Sequence, residues 1–174
     1  IDDPRAAAPA GPGGRALQAL AVGFALAGAL ALSAMALLTV PSIVGRWLFA
    51  APIPGDYELA QLGTAIAVAA FLPYCALRGG HVLVDFVTAR APARLRAALD
   101  ALGNLALAAI GFLLAWRLAL GMADLRTYGE TTMVLAVPIW WAYAPMVPSF
   151  ALLGLVAAQR ALVLLTAGLG GRRR

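Results

Sequence analysis

Apart from its hydroxyls, this chain of 174 residues offers eight carboxylates, one histidine and one cysteine for acid–base, nucleophilic or metal chemistry. Cys75 stands alone in an apolar block, which excludes an internal disulfide, a CxxC redox pair and a thiolate-rich metal site. His81 alone cannot supply both axial ligands of a b-type haem, and no Cys beside it gives metal-ligand spacing. No Ser/His/Asp set, phosphate loop or HExxH motif is present. Neither catalysis nor a cofactor or bound metal is expected, so the remaining polar residues are read for what they can hold together.

Asp56 and Glu58 precede a long apolar run, where a helix N-terminus carries about half a positive charge and favours acids. Capping accounts for both, with Asp56 as the N-cap; the functional alternative pairs Glu58 with Arg46 or with another protein. His81 and Asp85, four apart, can form an ion pair or meet a lipid phosphate or a partner, against the plainer reading of a solvated polar face. Asn104, Ala108, Gly111 and Ala115 recur at spacings of four, three and four, which puts them on one helix face. Gly111 and Ala115 form the small-xxx-small pair that lets helix backbones approach in lipid. The plainer reading of that stripe is an internal contact of a four-helix bundle, the sharper one a contact with another subunit. Asn104 on it would cost several kcal/mol facing lipid without a partner, so it is expected to hydrogen-bond across helices.

These residues are set in a membrane protein. Hydrophobic residues make up 63% and charged residues 12% of the chain, where a soluble domain has about a quarter charged. Its mean hydropathy is +0.87 and its pI near 10.3. Net charge is +5, from thirteen arginines and no lysine. The arginines flank apolar blocks without interleaved stacking aromatics, so they mark membrane orientation and no nucleic-acid partner is expected.

The pattern predicts an all-α integral membrane fold with four transmembrane helices and short interfacial amphipathic helices. Residues 1–15, rich in Ala, Pro and Gly, read as a flexible cytoplasmic tail, 16–166 as the four-span domain and 167–174 as a basic cytoplasmic tail. The apolar block after Arg15 is too long for a signal-peptide core. The spans are expected at Leu17 to Val40, Leu59 to Leu77, Ala97 to Leu120 and Ile139 to Leu165, each near or above the ~20 residues a bilayer needs. Pro41 to Gly55 reads as an interfacial shoulder, and His81 to Arg90 as an amphipathic helix lying flat on the membrane. Asp100 and Arg117 are placed near the ends of the third span, within reach of headgroups. Pro145 and Pro148 are expected to bend the fourth, which opens on the interfacial pair Trp140 and Trp141.

Placing the N-terminus inside leaves only Arg46, Arg117 and Arg126 of the thirteen arginines outside, a strong positive-inside signal. Both termini are then cytoplasmic. The shoulder and the loop from Met122 to Pro138 face the other side, with Arg46, Asp56, Glu58, Asp124, Arg126 and Glu130 as a mixed-charge docking surface. No span carries an acid at its centre, where coupling-ion carboxylates normally sit.

Four local signatures, in order along these spans, carry a family resemblance. They are Arg46 followed by aromatics and then Pro52 and Ile53; DYELAQ at Asp56 to Gln61; HVLVD at His81 to Asp85; and VPIW at Val137 to Trp140. From Leu17 to Leu165 the chain resembles the small membrane subunit (DctQ-like) of a tripartite ATP-independent periplasmic, or TRAP, transporter. Where the family often has an acidic pair before the second span, this chain has Tyr57 and Glu58, so a role for the first acid does not carry over.

The resemblance implies a scaffold in the bacterial inner membrane. Its partners would be a large multi-span (DctM-like) subunit, which holds substrate and sodium and moves as an elevator, and a periplasmic solute-binding protein. The expected function is that of an accessory subunit for sodium-coupled uptake of organic acids or similar small solutes. Competing readings are the small subunit of a tripartite tricarboxylate transporter, which should lack HVLVD here, and a membrane anchor of a redox complex, which the single histidine opposes. A small homodimeric drug exporter needs an intramembrane carboxylate that the spans lack. Candidate partner-binding residues are Arg46, Asp56, Glu58, His81, Asp85, Asn104, Glu130 and Trp140.

Overall fold

A computed structural model describes residues 12–50, 53–78 and 93–170. They form four helices, α1 (Pro12–Phe49), α2 (Asp56–Leu77), α3 (Ala93–Tyr128) and α4 (Trp140–Gly170), each long and apolar enough to cross a bilayer. The four expected spans are therefore all present, with different limits. The His81 to Arg90 segment lies outside the described residues.

Pro41 does not end α1, which continues through the expected shoulder to Phe49 and stops where Ala50 turns to a φ of 50°. A membrane helix tolerates such a proline where neighbouring groups take over the freed backbone partners. The third span also outruns its expected end at Leu120, because Ala123 and Leu125 keep the helical pattern through Asp124 and Arg126. Gly129, with φ of 66°, then reverses the chain, and the Glu130 N–H donates back to the Leu125 carbonyl at 3.2 Å. That six-to-one bond is the Schellman closure, which favours glycine at the left-handed position.

Packing is made by small residues. α1 turns Ala21, Gly28 and Ser42, seven or fourteen residues apart, onto α2, which answers with Gly63, Ala67 and Ala70. α3 turns Ala101, Asn104, Ala108, Gly111 and Ala115 onto α4. A Cβ at Gly111 would stand 2.8 Å from the Gly154 nitrogen, so only glycine lets these two backbones touch. Small residues at helix crossings are how membrane helices adhere where lipid removes any hydrophobic drive.

Two polar contacts join α4 to α2. Ser149, fully buried, donates its hydroxyl to the Ala69 carbonyl at 2.6 Å, and Arg160 donates Nη2 to the Leu77 carbonyl at 2.6 Å. The latter satisfies an orphan carbonyl at the C-terminus of α2, where a cation is also favoured by the helix dipole.

The spatial order is α1, α2, α4, α3. α2 packs between α1 and α4, α3 packs along α4, and α1 only brushes α4. The four helices thus stand in an open row. An apolar cluster of Ala21, Ala76, Leu152, Leu153 and Val156 ties α1, α2 and α4 together towards the Arg78 end of α2. The broad faces of the row carry exposed leucines, including Leu30, Leu37, Leu102 and Leu113, as surfaces in contact with lipid or a partner do.

Candidate functional site

At the end of the row opposite Arg78, the ends of α1 and α3 and the starts of α2 and α4 meet in a polar clamp. It begins with Gly55, whose φ of 77° serves as the N-cap of α2. Leu135 lies directly over it, so a side chain at position 55 would be both strained and obstructed. Asp56 is thus the first helical residue and not the expected cap. Its Oδ1 accepts the Tyr57 N–H at 2.8 Å, and its Oδ2 accepts the hydroxyl of Ser42 and, at 3.2 Å, a guanidinium N–H of Arg46. Ser42 is fully buried and also accepts the Ile53 N–H at 3.3 Å.

Arg46 therefore pairs with Asp56, correcting the alternative that paired it with Glu58. The reason is helical register. With α1 unbroken through Pro41, Ser42 and Arg46 lie four apart on one face and meet the same carboxylate, whereas Glu58, two residues on, points some 200° away around α2.

Glu58 grips the connection between α3 and α4 instead. In that connection Thr131 and Pro138 form an antiparallel bridge, the Thr132 N–H donates to Val137 O at 3.0 Å, and Ile139 N–H donates to Glu130 O at 3.1 Å. The Val134 and Leu135 N–H groups at its tip donate to the two oxygens of Glu58 at 2.8 and 3.1 Å. Charge-assisted bonds of this kind are roughly twice as strong as neutral ones. One carboxylate thus fastens the α3–α4 connection to α2, as Asp56 fastens α1.

The other sequence candidates are placed as follows. Trp140 opens α4, packs edge-on against Trp141 with centroids 6.2 Å apart, and lies 5.6 Å below the guanidinium of Arg126. Glu130 is exposed beside the clamp. Asn104 sits apart from these residues, buried in the α3–α4 seam, and donates Nδ2 to the Asp100 carbonyl of its own helix at 2.8 Å. Among the described residues Asn104 makes no cross-helix bond of the kind expected; it turns back along its own helix in a seam closed by small residues. The stripe to which it belongs is an internal contact, as its plainer reading had it. His81 and Asp85 lie outside the described residues.

Sequence reasoning passed over Ser42 and the Val134 and Leu135 amides. A hydroxyl directly after Pro41 in an apolar run was the available signal for the first; backbone amides leave none. Trp47, Phe49, Tyr57, Tyr128 and Trp141 are exposed around the clamp, an aromatic girdle of the sort found at a membrane–water interface. An open crevice of about 390 Å³ between α1 and α2 is lined by Thr39, Ile43, Arg46, Asp56, Tyr57 and Ala60. Both clamp carboxylates are already engaged by the chain's own donors, so the arrangement holds helix ends together.

A family model described as tripartite ATP-independent periplasmic transporters, DctQ component, matches residues 35–167. No curated protein and no solved structure matches the chain.

Proposed function

The chain belongs to the DctQ component family of tripartite ATP-independent periplasmic transporters, and we propose that it is the stationary element of a sodium-coupled uptake system for organic acids or similar small solutes. In this reading it holds a large DctM-like subunit in the bacterial inner membrane while that subunit moves, and it carries no substrate itself. The clamp end faces the periplasm and both termini face the cytoplasm, following the arginine bias. Asp124, Arg126 and Glu130, exposed at the clamp end and of mixed sign, offer a salt-sensitive surface to the solute-binding protein. The family assignment sets aside the tricarboxylate-transporter and redox-anchor alternatives.

The observation that carries the reading is the clamp. Four helix ends are tied by Ser42, Arg46, Asp56 and Glu58 into one unit, while the faces of the row stay uncovered. A rigid plate with open apolar faces is suited to bracing another membrane protein and poorly suited to enclosing a solute. The test is reconstitution in liposomes under a sodium gradient, with the large subunit and the binding protein, with and without this chain. Uptake should need it, and this chain alone should transport nothing. Undiminished uptake without it, or uptake by it alone, would remove the scaffold role.

A further inference from the structure

Arg117 lies on the face of α3 turned away from α4, and its depth follows from the contacts on either side of it. Gly121 is level with Tyr143 and Gly111 with Gly154, which puts Arg117 level with Val147 and Pro148, within half a turn of Ser149. Ser149 in turn donates to Ala69, near the middle of the 22-residue α2. Along α3 itself, Arg126 is about 13 Å away and Asp100 about 25 Å away, at 1.5 Å per residue. The expectation that Arg117 sits near the end of its span is thereby corrected: it is an arginine in the apolar layer.

It is also exposed there, among exposed Ile110, Leu113, Trp116 and Leu120. Its guanidinium stands 6.0 Å from the Trp116 ring centroid, and it joins no ion pair among the described residues. Arginines facing lipid usually stretch to the nearer headgroups. In a helix, however, side chains lean towards the N-terminus. The N-terminus of α3 lies at the Asp100 end, so Arg117 leans away from its nearer charged layer and deeper into the apolar one. Charges at such depth pair with one another or face a protein interior.

We infer that the outer face of α3, centred on Arg117 and flanked by Leu113, Trp116 and Leu120, seats against a helix of the large membrane subunit, and that this helix presents a carboxylate to Arg117 within the apolar layer. The inference rests on the accessory-subunit reading above and adds which helix makes the contact and which chemistry answers it. Out of water a guanidinium–carboxylate contact is directional and often bidentate, so it would set the depth and register of the two proteins, while the apolar residues around it supply area.

The test is co-expression of the full chain with the large subunit of its transporter, followed by co-purification in mild detergent. Wild type and Arg117→Lys should recover the large subunit. Arg117→Leu should recover at least tenfold less while its own membrane level is unchanged. Independently, in an otherwise wild-type chain, a benzoylphenylalanine photocrosslinker at Leu113 should give an adduct of the combined mass, and one at Leu30 on α1 should not. Undiminished recovery by Arg117→Leu, or a Leu113 probe that labels only lipid, overturns the inference. Failure of wild type itself to recover the large subunit would instead overturn the accessory-subunit reading on which it rests.

Discussion

Replacing Gly111 with alanine adds one methyl at the tightest point of the molecule. The new Cβ would stand 2.8 Å from the Gly154 nitrogen, 3.0 Å from its Cα and 3.2 Å from the Phe150 carbonyl, all backbone atoms that cannot rotate aside. Ordinary contact begins at 3.4 Å, so α3 and α4 must part by about 0.6 Å or tilt, and every small-residue contact from Ala101 to Ala115 loosens with them. Overpacking of this kind costs about 1–3 kcal/mol, a shift of roughly 5- to 150-fold in the folded-to-unfolded ratio. Gly103 on the same helix supplies the control, since a Cβ there meets nothing within 4 Å. Gly103→Ala should be neutral or gain up to ~1 kcal/mol from helix propensity. Unfolding by SDS in mixed micelles, followed through the fluorescence of the four tryptophans, Trp47, Trp116, Trp140 and Trp141, reads both variants. Equal midpoints for Gly111→Ala and wild type, or an equal loss in Gly103→Ala, would refute the claim that backbone contact at this crossing holds α3.

The clamp yields a second prediction: Ser42→Ala leaves the Ile53 N–H without its acceptor and takes a donor from Asp56, which should cost about 1–3 kcal/mol in the same assay; a midpoint equal to wild type would show that water replaces the hydroxyl without loss. Glu58→Gln keeps one acceptor oxygen where two are used, so amide exchange at Val134 or Leu135 should accelerate while Ala67 is unchanged; unaltered protection at both would mean that the loop holds itself. Arg160→Leu frees the Leu77 carbonyl, and exchange at Leu77 and Arg78 should quicken without change at Leu59. Uniform acceleration along α2 would point to general loosening rather than a lost end contact.

Apolar run length alone exposed the four spans, because a bilayer allows a backbone few alternatives to a helix of about 20 residues. Their limits were harder to read. Proline and tryptophan after Val40 looked like the end of a span, yet whether Pro41 breaks α1 depends on the neighbours that surround it. Leu120 looked like an end because Asp124 and Arg126 follow, but those charges lie in the last turns of a helix that Gly129 terminates. Asp56 and Glu58 were legible as acids at a helix start. Their separate duties were not, since one depends on α1 running on to place Ser42 and Arg46, and the other on the amides of a loop seventy-six residues away. The α3 stripe was legible because a helical period writes it directly into the sequence; that Asn104 turns back to Asp100 is a choice of side-chain conformation that the period does not carry.

The spatial order α1, α2, α4, α3 also constrains how the protein can be made. A ribosome delivers α1 and α2 first, and they can pair at once through Gly28, Ala67 and Ala70. α3 emerges next with nowhere to go, for its principal seat is α4, which has not yet been synthesised. Until then Asn104 and Gly111 must wait in lipid or in the shelter of the insertion machinery. Arrival of α4 completes two seams together, one to α2 through Ser149 and Arg160 and one to α3 through Gly154. The last helix translated is therefore the keystone, and a chain that stops at Tyr128 leaves the membrane holding a hairpin and a stray helix.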